Sequence, residues 1–530
     1  MAISRESVRG GSKYLSLTAM IFAVAMTFID QTIVSIAAPN VQSELGLSAD
    51  GVQWVVNAYL VALAALFAFG GRLSDILGHR RMVLVGVAVF AVSSALCGAT
   101  PKGSLAEAWL VTFRAVQGAG AALMFPAALA IVVASFDIGE RGKAMAIFFG
   151  ISGGLTAIGP ILGGWLTQYT WRAIFWVNIP VAVVAIVLTA MSKVSTERKR
   201  EPLDWRGAVL VSLGMGLSVL GLQQSAAWGW GSVATWACIL GGLAILVGFV
   251  LAELRTEVPL IKIRIFRDRA FFVDNGVLFF SAMAFIPVFF FASVYTQLSL
   301  GFDANGAGLY LFIYFAGFAV AAQIGGRLLD ARGAKPAVLL GCAVGAVGYA
   351  SWGWKLTTLS EGSQWPYIVL AGAGVGFLLG PASTDAVNRS INASYGEVTG
   401  ITQTIRNYGS SLGLAVLGTI LTTVNTNKVT DSLVGLGLPA DQAARVTAAL
   451  SARDGGGSAA LANLPPDARP KVFPAVQHDF AQASQIVFYC MAAALTIALA
   501  VALFHPGGRV THETTPAGDA ALDPGPGYTA

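Results

Sequence analysis

Fourteen stretches of this chain are apolar over enough consecutive residues to cross a membrane as helices, and they constrain the fold more than any other feature. A helix needs ~20 apolar residues to span the hydrocarbon core of a bilayer. The sequence therefore predicts an all-α polytopic membrane protein with fourteen transmembrane helices. The predicted spans cover residues 15–37, 52–71, 82–100, 106–133, 144–166, 173–192, 207–223, 232–252, 271–298, 305–326, 336–355, 366–386, 402–424 and 482–504.

The composition excludes several other classes of protein. Only 12% of the residues are charged, against ~25% in a typical soluble domain. The net charge is +5 and no basic run alternates with aromatic residues, so we expect no nucleic-acid partner. The four cysteines lack Cys-x-x-Cys spacing and the four histidines fall outside the apolar stretches, which argues against a disulfide framework and against an intramembrane metal site. The absence of a Walker A motif argues against ATP-driven transport.

The amino terminus and the distribution of positive charge predict the topology. Arg5, Arg9 and Lys13 precede the first apolar stretch as in a signal peptide, but that stretch is longer than a signal h-region and is interpreted as a retained span. An even number of spans places both termini on one side, which holds 23 of the 33 Lys and Arg residues, while the other side holds 8 and two lie within spans. The positive-inside rule makes the terminal side cytoplasmic. We expect a multi-pass protein of the cell membrane.

A repeated segment divides the chain into related parts. Residues 70–86 and 325–341 share the pattern Gly-Gly-Arg-Leu-x-Asp-x-x-Gly, and they join the second to the third span and the tenth to the eleventh. Two plain six-helix halves would place the second copy two spans earlier, so two helices are inserted between the halves. The predicted parts are a six-helix bundle at 1–200, the inserted pair at 201–254, a second six-helix bundle at 255–505 and a disordered cytoplasmic tail at 506–530. The second bundle contains a long outer loop, 425–481, that is mostly mobile apart from a short amphipathic helix near 439–452.

The first copy of the repeated loop is a candidate conformational latch. Gly70 and Gly71 allow two helices to approach closely, and Asp75 can bind either a neighbouring helix N-terminus or a nearby arginine. A static helix hairpin that obeys the positive-inside rule is the alternative. The candidate latch residues also include Arg72, Gly78, Arg80, Arg81, Asp330 in the second copy and Arg406.

Two charged residues lie at similar depth within the predicted membrane region. Asp30 is ~10 Å below the outer interface and Arg114 ~12 Å, at 1.5 Å per helical residue. Charged residues at such depth usually line cavities or relay protons, and a buried arginine requires a partner. We hypothesise that Asp30 pairs with Arg114, that Gln117 contributes an amide, and that the cluster couples protons or contacts substrate. Packing of an acid against a neighbouring base is the alternative.

Two further sets of residues carry weaker signals. In the fifth span, Gly159 and Pro160 favour a bend, and Gly163 and Gly164 permit close helix contact. Arg406 near the start of the thirteenth span has Asp385 and Asp330 as candidate partners across a cytoplasmic gate. Asp274 and Asn275 are equally compatible with substrate contact and with an interfacial position. The many phenylalanines favour lipid or core packing over an aromatic cage.

Together these segments resemble the major facilitator superfamily, and within it the fourteen-helix drug:proton antiporters. The resemblance covers essentially the whole chain. GGRLSDILGHRR resembles motif A, RAVQGAGAA motif B, IDQTIVSIAAP the first-span signature, GPILGG the core of the antiporter motif C and WRAIFWVNIP the segment after it. One departure is Leu155, which stands where motif C has a glycine.

The resemblance implies the major facilitator fold, with alternating access to a central cavity between two rocking halves. It assigns proton coupling to Asp30 and Arg114, and conformational locking to Asp75. We expect a secondary transporter, not an enzyme, that exports small amphipathic organic compounds in exchange for protons. It would use the proton gradient without a cofactor or metal, contact lipids, and act as a monomer. Export of one endogenous metabolite, antibiotic or lipid-like compound, or a membrane sensor without transport, are the alternatives.

Overall fold

A computed structural model describes residues 10–47, 49–192, 202–389, 395–451 and 469–509. In this part of the chain the secondary structure is helical and contains no β-strand. The longer helices of the first half are α1 (Gly10–Leu45), α2 (Ala49–Leu77), α3 (His79–Gly98), α4 (Ala106–Ser135) and α5 (Arg141–Thr167), followed by α6 (Ala173–Trp176) and α7 (Asn178–Met191), which together form the sixth predicted span. The inserted pair comprises α8 (Trp205–Trp228) and α9 (Val233–Glu253).

The second half repeats this order. It contains α10 (Arg269–Leu298), α11 (Ala304–Arg332), α12 (Ala334–Leu356), α13 (Glu361–Asn388), α14 (Tyr395–Gly435), α15 (Ala440–Ser451) and α16 (Arg469–Leu503). Every one of the fourteen predicted spans coincides with helix. Among the described residues, twelve helical segments are long and apolar enough to cross a membrane, and the two remaining predicted spans correspond to α5 and α14.

The duplication predicted from the repeated loop extends through the helices. Asp75 and Asp330 are 255 positions apart, and the same separation relates the bounds of α2 to those of α11 and the start of α4 to that of α13. In each half the fourth helix of the repeat, α4 or α13, packs against both the second and the third. The halves meet along α5 and α11 and along α2 and α14.

The inserted helices pack beside this arrangement without interrupting it. Helix α8 lies against α9, against α2 of the first half and against α14 of the second. The Asn57 side chain on α2 donates a hydrogen bond to Gln224 Oε1 on α8 at 3.1 Å, and both residues are buried. The inserted pair is therefore attached at a boundary between the halves.

The described parts of the outer loop predicted at 425–481 are largely helical, so the expectation of a mostly mobile loop is wrong for them. Helix α14 continues to Gly435 and α16 begins at Arg469, while α15 agrees with the amphipathic helix predicted near 439–452. A small buried cluster joins these helices and stabilises segments too polar for hydropathy to detect. Its members are Val429, Leu433, Leu438, Ala443 and Val472. Residues 452–468 lie outside the described part of the chain.

Both described ends of the chain lie on one side of the helical bundle, which we call the terminal face. Lys13 near the start of α1 contacts Glu140 in the α4–α5 connection with an Nζ–Oε2 distance of 2.5 Å. Arg509 approaches the neighbouring Gly139 of the same connection. Residues 506–509 are ordered against the protein, and the rest of the predicted disordered tail, 510–530, lies outside the described residues.

Candidate functional site

The predicted partners Asp30, Arg114 and Gln117 form one buried polar cluster within the first half. Arg114 Nη1 lies 2.5 Å from Asp30 Oδ2 and donates a second bond to Gln117 Oε1 at 2.8 Å. Gln117 Nε2 donates to Asp30 Oδ1 at 2.9 Å. The three side chains are at most 1% exposed. Each carboxylate oxygen of Asp30 therefore accepts a hydrogen bond from α4.

The surroundings of Arg114 fix its orientation. Its Nε donates to the Val55 carbonyl oxygen on α2 at 3.0 Å, and its guanidinium lies 4.6 Å from the centre of the Tyr59 ring and 5.9 Å from that of Phe175. Gly118 permits this approach, because a Cβ atom there would collide with the Tyr59 backbone. A buried ion pair loses several kcal/mol of favourable interaction when one partner is neutralised. A proton on Asp30 would therefore change the interactions of three helices together.

On the terminal face, Asp75 at the end of α2 binds the beginning of α14 in the other half. Its two carboxylate oxygens accept hydrogen bonds from the backbone N–H groups of Gly396 at 3.0 Å and Glu397 at 2.9 Å. These are unpaired donors of a helix N-terminus, where the helix dipole also favours negative charge. Gly71 lies directly against the Gly396 carbonyl and Gly400. The helix N-terminus, one of the two predicted partners, thus binds Asp75.

The second copy of the loop makes the equivalent contact in the opposite direction. Asp330 at the end of α11 accepts hydrogen bonds from Gly142 N at 3.0 Å and Lys143 N at 3.2 Å, at the beginning of α5. Gly326 packs against the Gly142 backbone as Gly71 packs against Gly396. The two halves are thus joined on the terminal face by two related latches, which we call the Asp75 latch and the Asp330 latch.

The other residues of the first loop have different positions. Gly70 lies against the Ala122 backbone, Gly78 has φ of 99° between α2 and α3, and Arg72 is buried. Arg80 donates to the Thr189 and Ala190 carbonyl oxygens at the end of α7, within its own half. Arg81 is exposed. Among these loop residues, Gly71 and Asp75 contact the start of α14 in the other half.

The predicted partners of Arg406 are wrong in this structure. Arg406 Nη1 donates to Gln403 Oε1 at 3.0 Å, and the guanidinium lies 5.4 Å from the centre of the Phe149 ring. Its Nε has no hydrogen-bond partner. Asp330 is engaged in its latch and Asp385 binds Arg389 and His505. Arg406 therefore faces α5 of the first half, and no carboxylate of the described residues pairs with it.

The residues of the predicted fifth-span motif lie on α5, which is continuous from Arg141 to Thr167. Gly159 faces α1, where a Cβ atom would collide with Thr32 Oγ1. Pro160 and Gly164 lie on the same stretch, and the Gly163 carbonyl oxygen accepts a hydrogen bond from Thr167 Oγ1 at 2.5 Å. The motif thus permits close packing of α5 on α1.

A buried cluster that the sequence did not predict joins Asp274, Asp385 and His505. His505 Nε2 lies 3.1 Å from Asp385 Oδ2 and 3.4 Å from Asp274 Oδ1. His505 follows the last helix, and its position outside the apolar stretches argued only against an intramembrane metal site. These residues come together because α10, α13 and the chain end approach one another in space. Their spacing in the sequence does not predict this cluster.

The comparisons with known proteins agree with this architecture. The family model described as Major Facilitator Superfamily matches residues 20–414. The chain is 32% identical over 502 residues to the tetracenomycin C resistance and export protein of Streptomyces glaucescens, covering 93% of this chain and 92% of that protein. It is 34% identical to the cephamycin export protein CmcT of Amycolatopsis lactamdurans, covering 78% and 88%.

A solved structure shows the same fold at low sequence identity. The proton:xylose symporter XylE superposes with a TM-score of 0.61 at 12% identity, and the match covers 95% of this chain and 98% of that one. The duplicated six-helix arrangement, the two latches and the match to the family model over most of the chain lead to one conclusion. This protein is a multi-pass membrane transporter that belongs to the major facilitator superfamily.

Proposed function

We propose that the protein is a proton-coupled antiporter that exports small amphipathic organic compounds across the cell membrane by alternating access. The observation that carries the proposal is the buried cluster of Asp30, Arg114 and Gln117. Within it, Asp30 is the group that gains and loses a proton, since an arginine stays charged. Protonation would remove the negative charge that holds Arg114, and the freed guanidinium would repack against other acceptors.

The coupling proposed here links this local change to the terminal face. The cluster lies on α1 and α4, with Arg114 also bound to α2 through Val55, and α2 ends in Asp75 of the Asp75 latch. A rearrangement of α2 against α4 therefore has a direct route to a contact between the halves. Both latches are made in this structure, so the terminal face is closed. We propose that this face is cytoplasmic, that substrate enters from it when the latches open, and that the protein acts as a monomer without a cofactor.

The second half favours neutral or weakly charged substrates. The positions 255 residues after Asp30 and Arg114 are Phe285 and Val369, so the duplicated charges are absent there. Phe285 stacks on Phe318 with ring centres 5.6 Å apart. The Phe285 and Val369 positions offer no fixed charge to a dication at the depth of Asp30, so a neutral or weakly charged molecule fits this half better. The buried acids Asp274 and Asp385 lie near the terminal face instead.

Transport of one native antibiotic is a second candidate, and the names of the two relatives favour it. Both are described as export proteins for an antibiotic, tetracenomycin C in one case and cephamycin in the other. A panel of both compounds, unrelated antibiotics and cationic dyes separates the candidates. Export of many panel members indicates a multidrug transporter, and export of one chemical class indicates a dedicated one.

The test of proton coupling is substrate efflux from proteoliposomes under an imposed pH gradient. Asp30→Asn keeps the size of the side chain and removes the exchangeable proton. We expect the wild type to accumulate substrate against its gradient only when a proton gradient is present, and Asp30→Asn to lose this dependence while retaining facilitated exchange. Gradient-driven transport that is unchanged in Asp30→Asn would contradict the assignment.

A further inference from the structure

The chain beyond α16 runs back over the terminal face and is held there by several contacts. The Phe504 carbonyl oxygen accepts a hydrogen bond from Arg269 Nε at 2.9 Å, at the start of α10. Arg389 Nη2, at the end of α13, donates to the carbonyl oxygens of Gly507 and Gly508, each at 2.8 Å. This segment therefore binds two helices of the second half through its backbone.

His505 anchors the segment in the protein interior. Its ring is 1% exposed and lies between the carboxylates of Asp274 and Asp385. Its Nδ1 accepts a hydrogen bond from Gly507 N at 3.0 Å, so the ring proton is on Nε2 and points toward the two carboxylates. The oxygens of Asp274 have no hydrogen-bond partner among the described residues, and Oδ1 lies 3.4 Å from the His505 Nε2 that carries this proton. Removal of His505 would leave that carboxylate buried without the N–H group that faces it.

The three side chains also have the spacing of a metal site, since their ligand atoms all lie within 4.8 Å of one another. The hydrogen bond from Gly507 argues against this interpretation. A metal on Nε2 would require the proton there to leave, and Nδ1 would then need to carry a hydrogen that faces the Gly507 N–H. The positive charge of Arg389, 2.7 Å from Asp385 Oδ2, further opposes a cation.

The end of the segment crosses from the second half to the first. Arg509 lines a cleft on the terminal face together with Ile138 and Gly139 of the first half and Asp330 and Asn388 of the second. Arg509 therefore shares this cleft with Asp330, the residue that binds the start of α5, and a positive charge there opposes the cost of burying that carboxylate. Gly507 and Gly508 have φ of 75° and 84°, and these left-handed conformations allow the chain to turn toward that cleft.

We propose that residues 504–509 form a C-terminal strap that holds the terminal face closed, with His505 as its anchor and Arg509 as its contact across the halves. Release of the strap would weaken the Asp330 latch and raise the population that is open on this face. Its effect on export rests on the proposed function, because opening admits substrate only if this face is cytoplasmic. Its effect on the conformation of the protein does not rest on the proposed function.

The test measures conformation in the purified full-length protein. Spin labels at Met191→Cys and Arg332→Cys, both exposed on the terminal face of opposite halves, report opening by double electron–electron resonance in a background without the four native cysteines. One chain ends after Leu503 and lacks the strap. Its matched control ends after Arg509 and keeps it. His505→Leu removes the anchor without truncation, and His505→Gln restores a donor near the position of Nε2.

We expect the ratio of open to closed protein to rise about tenfold, within the range usual for coupled sites, in the chain that ends after Leu503 and in His505→Leu. The control truncation and His505→Gln should resemble the wild type. Unchanged distances in both strap variants would overturn the proposal, and so would an equal shift in the control, which would assign the effect to residues 510–530. Stoichiometric Zn²⁺ binding that His505→Gln abolishes would overturn the anchor role and identify a metal site.

Discussion

Weakening the two latches by the same substitution should open the terminal face to different extents. Asp75→Asn and Asp330→Asn each keep one oxygen acceptor and remove the negative charge. Each aspartate accepts two backbone N–H bonds at the start of a helix in the other half. The Asp75 side chain is 3% exposed, whereas Asp330 is only half-buried, so water replaces the lost interactions of Asp330 more readily.

The magnitudes follow from these contacts. A hydrogen bond to a charged group contributes about 1.5–3 kcal/mol, and a charge at a helix N-terminus about 0.3–2 kcal/mol depending on burial. The loss of one bond and of the charge therefore shifts the closed–open equilibrium by about 2 kcal/mol in Asp75→Asn, which is roughly 30-fold. For the more exposed Asp330→Asn we expect about 1 kcal/mol, roughly fivefold. The latches share no residue, so the double variant should shift by about the sum.

The assay is the distance distribution between spin labels at Met191→Cys and Arg332→Cys, with the wild type and both single variants measured at one pH. Asp303→Asn is the matched control, because Asp303 accepts a bond from Gly306 N within its own half. Equal shifts from the two latch variants would refute the argument from burial. A closed population that is unchanged in the double variant would refute the latches themselves.

Two further predictions concern buried polar pairs, and both compare single with double substitutions. Asp30→Ala and Arg114→Leu should each lower the free energy of unfolding of the purified protein by about 3–5 kcal/mol, because each leaves a buried charge unpaired. The double variant should be more stable than either single variant. Additive losses would show that the two side chains do not interact. Gln224→Leu should lower the free energy of unfolding by about 1–3 kcal/mol, because it leaves the Asn57 amide unsatisfied between α2 and α8. Adding Asn57→Leu should recover part of this loss. If nothing is recovered, the 3.1 Å hydrogen bond does not attach the inserted helices.

The features that the sequence predicted are those that the bilayer or the duplication imposes. Apolar length locates the spans, since unsatisfied backbone groups are intolerable in lipid, and the repeated loop locates the inserted pair. The pairing of Asp30 with Arg114 was predictable because their depths match and neither charge is stable alone in the membrane region. The alternative partners of Asp75 stayed open at that level, because both a helix N-terminus and an arginine satisfy a carboxylate.

The features that were missed depend on packing between distant segments. The helical parts of 425–481 are polar, so hydropathy treats them as a loop, and only the cluster around Leu433 and Val472 explains their order. Arg406 and Asp385 lie on the same side of the membrane, which made their pairing reasonable, but Asp385 is engaged by Arg389 and His505. The competition for a carboxylate among several bases is decided by geometry that sequence spacing does not contain.

The duplication distinguishes the features that occur in both halves, the latches, from a feature that occurs in one half, the Asp30–Arg114 pair. The latch aspartate occurs in both halves, and each copy binds the helix N-terminus of the other, as symmetrical closure of the terminal face requires. The Asp30–Arg114 pair occurs once, because the corresponding positions of the second half are Phe285 and Val369. Under the proposed function, a duplicated unit with two latches and one such ion pair can open and close symmetrically while the first half binds the proton. The second half then carries no part of that proton site, so substitutions there can alter substrate selection without removing the proton-binding carboxylate.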